Sequence, residues 1–553
     1  MVRQYIGARY VTKAYENSQD PSSAEWETSM NYEPLTLVTY NYGSYLSKKE
    51  VPASVGDPAS NPDYWTQTGF YNGQITLLNA RVTKLEGEIF INTPENFGAV
   101  GNGIADDTSA VEDCINNSDI ILFKNNYLIT STVTVPKGKI LLGSDTGVIT
   151  TDDKITIFNL AGDNIVDGLK FTDSLAPDQT IGICIYAKDT NNIEIKNCIF
   201  NTVGCGVCIE LDHCTNSVIK NNLMKDYAFS GITLMHTCSF IDIEFNRIID
   251  GRYTGSLHRY PITISGYTDY DYGAAHHIKC NYNYIENSVF VWDAIDSHGA
   301  RNYEIIGNYI KGDASGISMG AKRTSSTDNF TDANCNSVIK DNYIEVESPN
   351  SSYTSRGVTV SGGSDVITMN LVIENNEIHV NNLSSITNPL ASGIVLRPSG
   401  IYRDCKINGN IFDLKGNHGI SLDGEFENII MKGNYFKDIN DTFYCFNLGS
   451  LDRYRDIFIE QNSVDPSATA GRFFKGNPSV TPENHRLIEL KDNSYGSMIN
   501  FDREYSTAIE ANIMPASKLE GVTGQFIPSN SGTIAGWYCI DTGTWLAISG
   551  TSV

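Results

Sequence analysis

Apolar and polar residues alternate with a period of two over short β-branched runs through the middle of this chain. Ile193-Glu194-Ile195-Lys196-Asn197 and Asn428-Ile429-Ile430-Met431-Lys432 are two examples. Such alternation predicts half-buried strands. A second strand follows about ten residues on and is opened by glycine, as in Gly206-Val207-Cys208-Ile209, Gly231-Ile232-Thr233-Leu234, Gly316-Ile317-Ser318-Met319 and Gly419-Ile420-Ser421-Leu422. Helical periodicity is absent from about residue 120 to 500. The strands travel with a recurrence, Asn-x-apolar, that begins at Asn197, Asn221, Asn246, Asn283, Asn308, Asn342, Asn376, Asn410, Asn434 and Asn462. Successive differences are 24, 25, 37, 25, 34, 34, 34, 24 and 28 residues, so the shortest is the unit and the longer ones are the unit plus a loop. A unit of that size cannot bury its apolar face alone and must stack on its neighbours. Glycine and asparagine at the corners allow the positive φ of tight bends. The pattern therefore predicts an all-β chain built on a right-handed parallel β-helix. The repeated asparagine is expected to stack coil on coil and to bond backbone at a bend. A left-handed hexapeptide helix or a propeller does not match the period.

The flanks read differently. Residues 1–73 are dense in aromatics and turn signals, among them Tyr32, Tyr40, Tyr45, Tyr64 and Trp65, and predict a small β module. Residues 74–93 predict a helical neck, with Ile75, Leu78, Val82, Leu85 and Ile89 at a 3-4 spacing that would suit a short coiled-coil seam. Residues 94–498 form the β-helix, entered through residues 96–111. There Asp106 and Asp107 are expected to make a turn and N-cap for a helix over about 108–117 that closes the open end. Residues 499–553 predict a C-terminal β tip carrying Gly536-Trp537-Tyr538-Cys539 and Gly543-Thr544-Trp545.

Composition narrows the function. A net charge of −25 argues against nucleic-acid binding, which needs basic clusters. No apolar run approaches a membrane span, and the opening MVRQYIGARY lacks a signal-peptide core, so synthesis in a cytoplasm without membrane insertion is expected. Most of the twelve cysteines fall inside strands and read as buried thiols. Cys205 and Cys208 have CxxC spacing, but within a strand such a pair faces opposite ways, so neither a redox nor a zinc role is expected.

With the coils aligned on the second strand, the position three after its first apolar residue reads Glu210, Met235, Ser265, His298, Gly320, Ser361, Arg397 and Asp423. This mixture predicts a solvent-facing column along a groove. One coil stands out, Val291-Trp292-Asp293-Ala294-Ile295-Asp296-Ser297-His298-Gly299. Alternation puts Asp296 and His298 outward on one face, with Asp293 at the corner before the strand. Two carboxylates and a histidine in six residues can supply a general acid, a general base and an orienting partner. The bland alternative is that the aspartates cap a turn. Asp313 is expected near the same corner one coil on. Long insertions at 251–275 and 320–336 would bring Arg259, Tyr260 and Arg323 beside Trp292 and Glu210, where aromatics can stack on sugar faces and arginine can pair with phosphate or uronate. No cofactor is expected. Ca²⁺ on the same Asp and His residues is possible in principle, though no loop has the EF-hand pattern.

Residues 96–111 resemble the entry motif of the pectate-lyase-like domain of many phage tailspikes. The run Tyr32-Glu33-Pro34-Leu35, Val38-Thr39-Tyr40, Gly43-Ser44-Tyr45-Leu46-Ser47-Lys48-Lys49 and Asp63-Tyr64-Trp65 is similar to a module opening the appendage proteins of small Gram-positive-infecting podophages. The closing Gly-Trp-Tyr-Cys…Gly-Thr-Trp run resembles their tip segment. Together these imply a homotrimeric virion tailspike, attached to tail or neck proteins through its N-terminal module, that binds and often cleaves a host surface glycan such as capsular polysaccharide or wall teichoic acid. Trp292-Asp293-Ala294-Ile295-Asp296 followed by Gly312-Asp313-Ala314 resembles the paired-Asp pattern of polygalacturonase-type glycosidases, which implies Asp293 as base and Asp313 as acid. Ala314 departs from that pattern, as does Ser361-Gly362-Gly363 where the family has Gly-His-Gly, so pectin is not the expected substrate. The expected activity is hydrolytic, with Asp293 or Asp296 as base, Asp313 as acid and His298 orienting water. A non-catalytic adhesin, a polysaccharide lyase and a purely structural fibre are the other classes.

Overall fold

The computed structural model describes residues 25–41, 43–69, 91–173, 182–201, 206–251, 260–265, 275–287, 292–312, 315–320, 334–347, 354–362, 367–381, 392–415, 417–437, 443–448 and 453–465. It also describes the short pieces 13–14, 472–475, 488–491, 493, 526–528, 536–541 and 544–548. The chain divides into two compact units, Met1–Phe90 and Ile91–Val553. The predicted neck helix lies outside the described residues.

In the first unit, strands Thr36–Tyr40, Gly43–Ser47 and Trp65–Gly69 pair antiparallel, and Lys13–Ala14 adds in parallel at the edge. Its core is Tyr32, Val38, Tyr45, Val51 and Trp65, with Tyr32 and Trp65 edge to face at 5.3 Å. These are the aromatics whose density set the segment apart in the sequence.

The second unit is the β-helix. Its strands lie in a 28-stranded sheet that follows the chain round one bend and a 14-stranded sheet that closes the coil, and every pairing within them is parallel. Each full coil thus shows three faces. A representative coil runs Tyr260–Ser265, His276–Asn281 and Tyr284–Glu286, and the next runs Asp293–His298, Arg301–Ile306 and Tyr309–Lys311. Inward positions carry Ile, Val, Leu, Phe and Cys in one continuous core. Ten buried cysteines of this unit are among the described residues, and burial pushes the Cys198 and Cys280 thiols up to about 12, as expected of inert packing groups. Cys205 lies outside the described residues. Helix Thr108–Asn117 buries Val111, Cys114 and Ile115 at the N-terminal end. Asp106 accepts from Thr108 N at 3.0 Å, while Asp107 accepts from Val100 N at 2.6 Å. Both are turn residues: Asp107 holds the N-cap position but turns its carboxylate back to Val100 and Gly101, and Asp106 takes the Thr108 amide instead.

The repeated asparagine forms a buried ladder. Asn342 donates its backbone N–H to Asn376 Oδ1 at 3.0 Å and its Nδ2 to Asn376 Oδ1 at 2.8 Å and to Ile305 O at 2.9 Å. Its own Oδ1 accepts from Asn308 N and Nδ2, both at 2.9 Å. The same set of bonds links Asn246, Asn283, Asn308, Asn376, Asn410, Asn434 and Asn462. The start of the ladder corrects the sequence reading. Its first rungs are Cys198 and Asn222, not Asn197 and Asn221, and Asn493 extends it beyond Asn462. Asn197 and Asn221 stand one residue earlier as exposed corners at φ 54° and 56°.

In the C-terminal segment, strands Phe526–Pro528, Gly536–Asp541 and Thr544–Ile548 form an antiparallel sheet. No helix among the described residues is long and apolar enough to cross a membrane.

Candidate functional site

The strand Asp293–His298 occupies the first face, between Tyr260–Ser265 and Ser315–Gly320. Its alternation follows the pleat, with Ile295 and Ser297 fully buried in the core. Asp296, which alternation turns outward, is not simply solvated. Asp296 is 2% exposed and Asp293 7%, and Asp293 is the first residue of the strand rather than a corner before it. Two carboxylates buried three residues apart are costly, because neither can keep its water shell and each raises the price of ionising the other.

Their surroundings differ. Asp296 Oδ2 accepts from Thr263 Oγ1 at 3.2 Å and lies 2.9 Å from His298 Nε2. Asp293 is hydrogen-bonded by Ser315, one coil on in register. Burial, and then the charge of Asp296, hold the Asp293 carboxyl well above the usual carboxylate range, with Arg356, Ser315 and His298 opposing in part. Arg356 pairs in register with Ser315, so Asp293, Ser315 and Arg356 form one column over three coils. Burial and Arg397 push the Arg356 guanidinium down to about 10, against the pull of Asp293. The result is one carboxyl, Asp293, that favours its proton, beside Asp296, which is bonded to a hydroxyl and lies against an imidazole. Such a separation of roles is what acid–base catalysis on a glycosidic or phosphodiester bond requires.

The column through Asp296 is the floor of the site. It reads Tyr186, Glu210, Thr233, Thr263, Asp296, Ser318, Thr359, Val395, Ser421 and Asn447, in unbroken register. Thr233, Thr263, Ser318, Thr359 and Ser421 give this column short hydroxyl side chains, and carboxylates stand in it at two places, Glu210 and Asp296. The position of Glu210 corrects the sequence alignment. It pairs with Thr233 and so shares a column with Asp296, whereas Asp212 is the residue in line with Met235, Ser265 and His298. Three coils separate Glu210 from Asp296, about 14 Å at the usual strand spacing. Burial and Asp212 raise the Glu210 carboxyl to about 7, with His236 opposing.

Tyr260 begins the strand one coil below Asp293, edge-on to Phe229 at 6.2 Å. Trp292, immediately before Asp293, keeps 37% of its surface exposed and offers its carbonyl to Ser315 N. Both therefore stand at the Asp293 end of the strand. Asp313, Arg259 and Arg323 lie outside the described residues. Arg356 was missed in the sequence. It falls 63 residues after Asp293, and only the coil register brings the two together. Among the described residues, the side chains whose ligand atoms converge as a metal site requires are not these but Asp212, His213 and His236.

No family model matches the chain. A curated relative, a depolymerase specific for capsule K30/K69 from Klebsiella phage K64-1, is 24% identical over 269 residues, 39% of this chain and 33% of that protein. The chain thus spans about a third of that relative's length. Among solved structures, the N-terminal fragment of gene product 12 of bacteriophage Phi29 superposes with a TM-score of 0.52 at 13% identity, covering 77% of this chain and 74% of that one. Tailspike protein 3 of bacteriophage CBA120 gives a TM-score of 0.43 at 11% identity, covering 95% and 85%. The chain is thus a parallel β-helix protein similar to proteins of phages.

Proposed function

We propose that this protein is a phage tail appendage that binds and hydrolyses a host surface glycan along the first-face column. The observation that carries this reading is the Asp293/Asp296 pair. Two carboxylates are held out of water in one strand, one favouring its proton and the other bonded to His298 and Thr263. In this reading Asp293 is the general acid that protonates the leaving oxygen. Asp296 is the base, or the nucleophile, with His298 fixing its orientation. This reverses the part that the polygalacturonase-like pattern gives Asp293, because a carboxyl whose proton affinity is raised by burial and a neighbouring carboxyl is the better donor of the two. Arg356 limits how far the Asp293 proton affinity rises and offers a cation for a phosphate or uronate on the substrate. The floor hydroxyls and Glu210 extend the column over several coils, which suits a polymer better than a monosaccharide. The relative's capsule-specific depolymerase name is consistent with a capsular polysaccharide, and wall teichoic acid has the same demands.

The test is incubation of the whole protein with capsule and wall fractions, with products read by mass spectrometry. Fragments lost in both Asp293→Asn and Asp296→Asn are the expected result. Binding without cleavage would leave an adhesin and return the aspartates to a structural role. An unsaturated product would indicate a lyase. The reading also holds that the chain acts as a homotrimer on the virion, joined to the tail through residues 1–73. Light scattering on the purified protein checks the trimer.

A further inference from the structure

Two and three coils before the Asp293 strand, three side chains converge where the first face turns into the second. His213 and His236 hold the same corner position on successive coils, at φ 52° and 56°. On neighbouring coils this corner is Gly162, Asp189 or Gly299, residues that adopt positive φ at little cost. The two imidazoles stack at 4.5 Å and 15°, and both turn Nδ1 toward one oxygen of Asp212, at 2.6 Å for His213 and 2.5 Å for His236. All three side chains are about nine-tenths buried, and their ligand atoms lie within 4.8 Å of one another.

We infer that Asp212, His213 and His236 bind a divalent transition-metal ion. Two imidazole nitrogens and one carboxylate oxygen make a facial set that suits Zn²⁺, Mn²⁺, Fe²⁺ or Ni²⁺ rather than Ca²⁺, which takes six or more oxygens. Ligands about 2.1 Å from such an ion stand about 3 to 3.4 Å apart, so admitting it takes an outward movement of the Asp212 carboxylate together with a tilt of the two stacked imidazoles toward each other. The other Asp212 oxygen is already held, by Lys188 Nζ at 3.1 Å and Tyr186 OH at 3.3 Å. That grip turns Oδ1 to the histidines, as outer-shell partners do in metal sites. Lys188 opposes a cation, but Asp189, 3.9 Å from His213 Nδ1, adds a second carboxylate beside the histidines. The ion ties two successive coils at the edge of the first face. It is a site separate from Asp293 and Asp296, and its presence is measured without any glycan.

The test uses the full chain, stripped with chelator and titrated calorimetrically with Zn²⁺ and, for its ligand-field spectrum, with Co²⁺. One ion per chain and a raised melting temperature are expected. Both are expected to be lost in His213→Asn and in His236→Asn, which keep a residue suited to the αL corner and so preserve the fold, as circular dichroism would verify. Tyr186→Phe should weaken binding about tenfold. His277→Asn is the control, because His276 and His277 are a second imidazole pair, with Nδ1 atoms 2.9 Å apart. No binding at millimolar metal would overturn the inference, and so would binding that survives His213→Asn and His236→Asn but disappears in His277→Asn.

Discussion

The asparagine ladder and the Asp293–His298 strand both bury polar side chains in the same helix, and they do so in opposite ways. Along the ladder from Asn246 to Asn462 each buried amide is bonded by identical amides one coil up and one coil down and donates to a backbone carbonyl as well. No member is singular, and each bond repeats its neighbour. The Asp293 strand instead buries charge that its neighbours do not share. One coil below the two aspartates are Tyr260 and Thr263, and one coil above are Ser315 and Ser318. In a stacked fold, repetition of a buried polar group indicates structure, and a buried charge that breaks the repeat is where chemistry is to be sought.

The sharpest way to break the comparison is to make each region resemble the other. Asp296→Asn replaces the unique carboxylate with the ladder's own residue type. It should lower glycan cleavage about 10²- to 10⁴-fold in a product-release assay while leaving the circular dichroism spectrum unchanged. Asn342→Ala should do the reverse. It removes the acceptor of two Asn308 donors and the donor to Ile305, and should cost about 2–3 kcal/mol in denaturant unfolding with no direct effect on cleavage by the intact protein.

Asp293→Asn separates stability from activity. A carboxyl whose pKa is raised by folding contributes stability that is fully present below its unfolded pKa and is lost as pH rises through its folded value. The neutral amide has no such loss. The variant should therefore be inactive, yet more stable than the parent by about 1–3 kcal/mol near pH 8, and the gain should shrink toward zero near pH 4 in melting experiments across that range. A gain that grows on acidification would contradict a protonated Asp293. The smallest effect is expected at Asn221→Gly. This residue is an exposed αL corner beside the ladder rather than a rung of it, so unfolding should shift by no more than about 0.5 kcal/mol.

Residues 246–462 of the ladder were legible because an unbroken chemical type at a coil-sized period can hardly be anything else. The turn at Asp106 and Asp107 and helix Thr108–Asn117 were legible because turn signals are local. Asn221 was confused with Asn222 because the two are adjacent and identical, and only the bond to Asn246 tells them apart. Glu210 was set two residues out of line. A slip of two keeps a side chain on the same face of a strand, so the alternation gave no warning. The carboxylates and His298 were visible as a local cluster, but not their burial, which depends on what lies over the strand.

The amino-acid sequence on its own determined the period, the inward face of each strand and the residue types at the corners, because those follow from short-range sterics and from which side chains water rejects. The tertiary structure alone decided which coils stand in register. Loops of unequal length separate the strands, and counting along the chain cannot say which outward residues share a column. Register made Arg356 a neighbour of Asp293, set Glu210 in line with Asp296 and brought His236 onto Asp212. The electrostatic character of each site follows from those placements, since a carboxyl's proton affinity is set by what surrounds it in space.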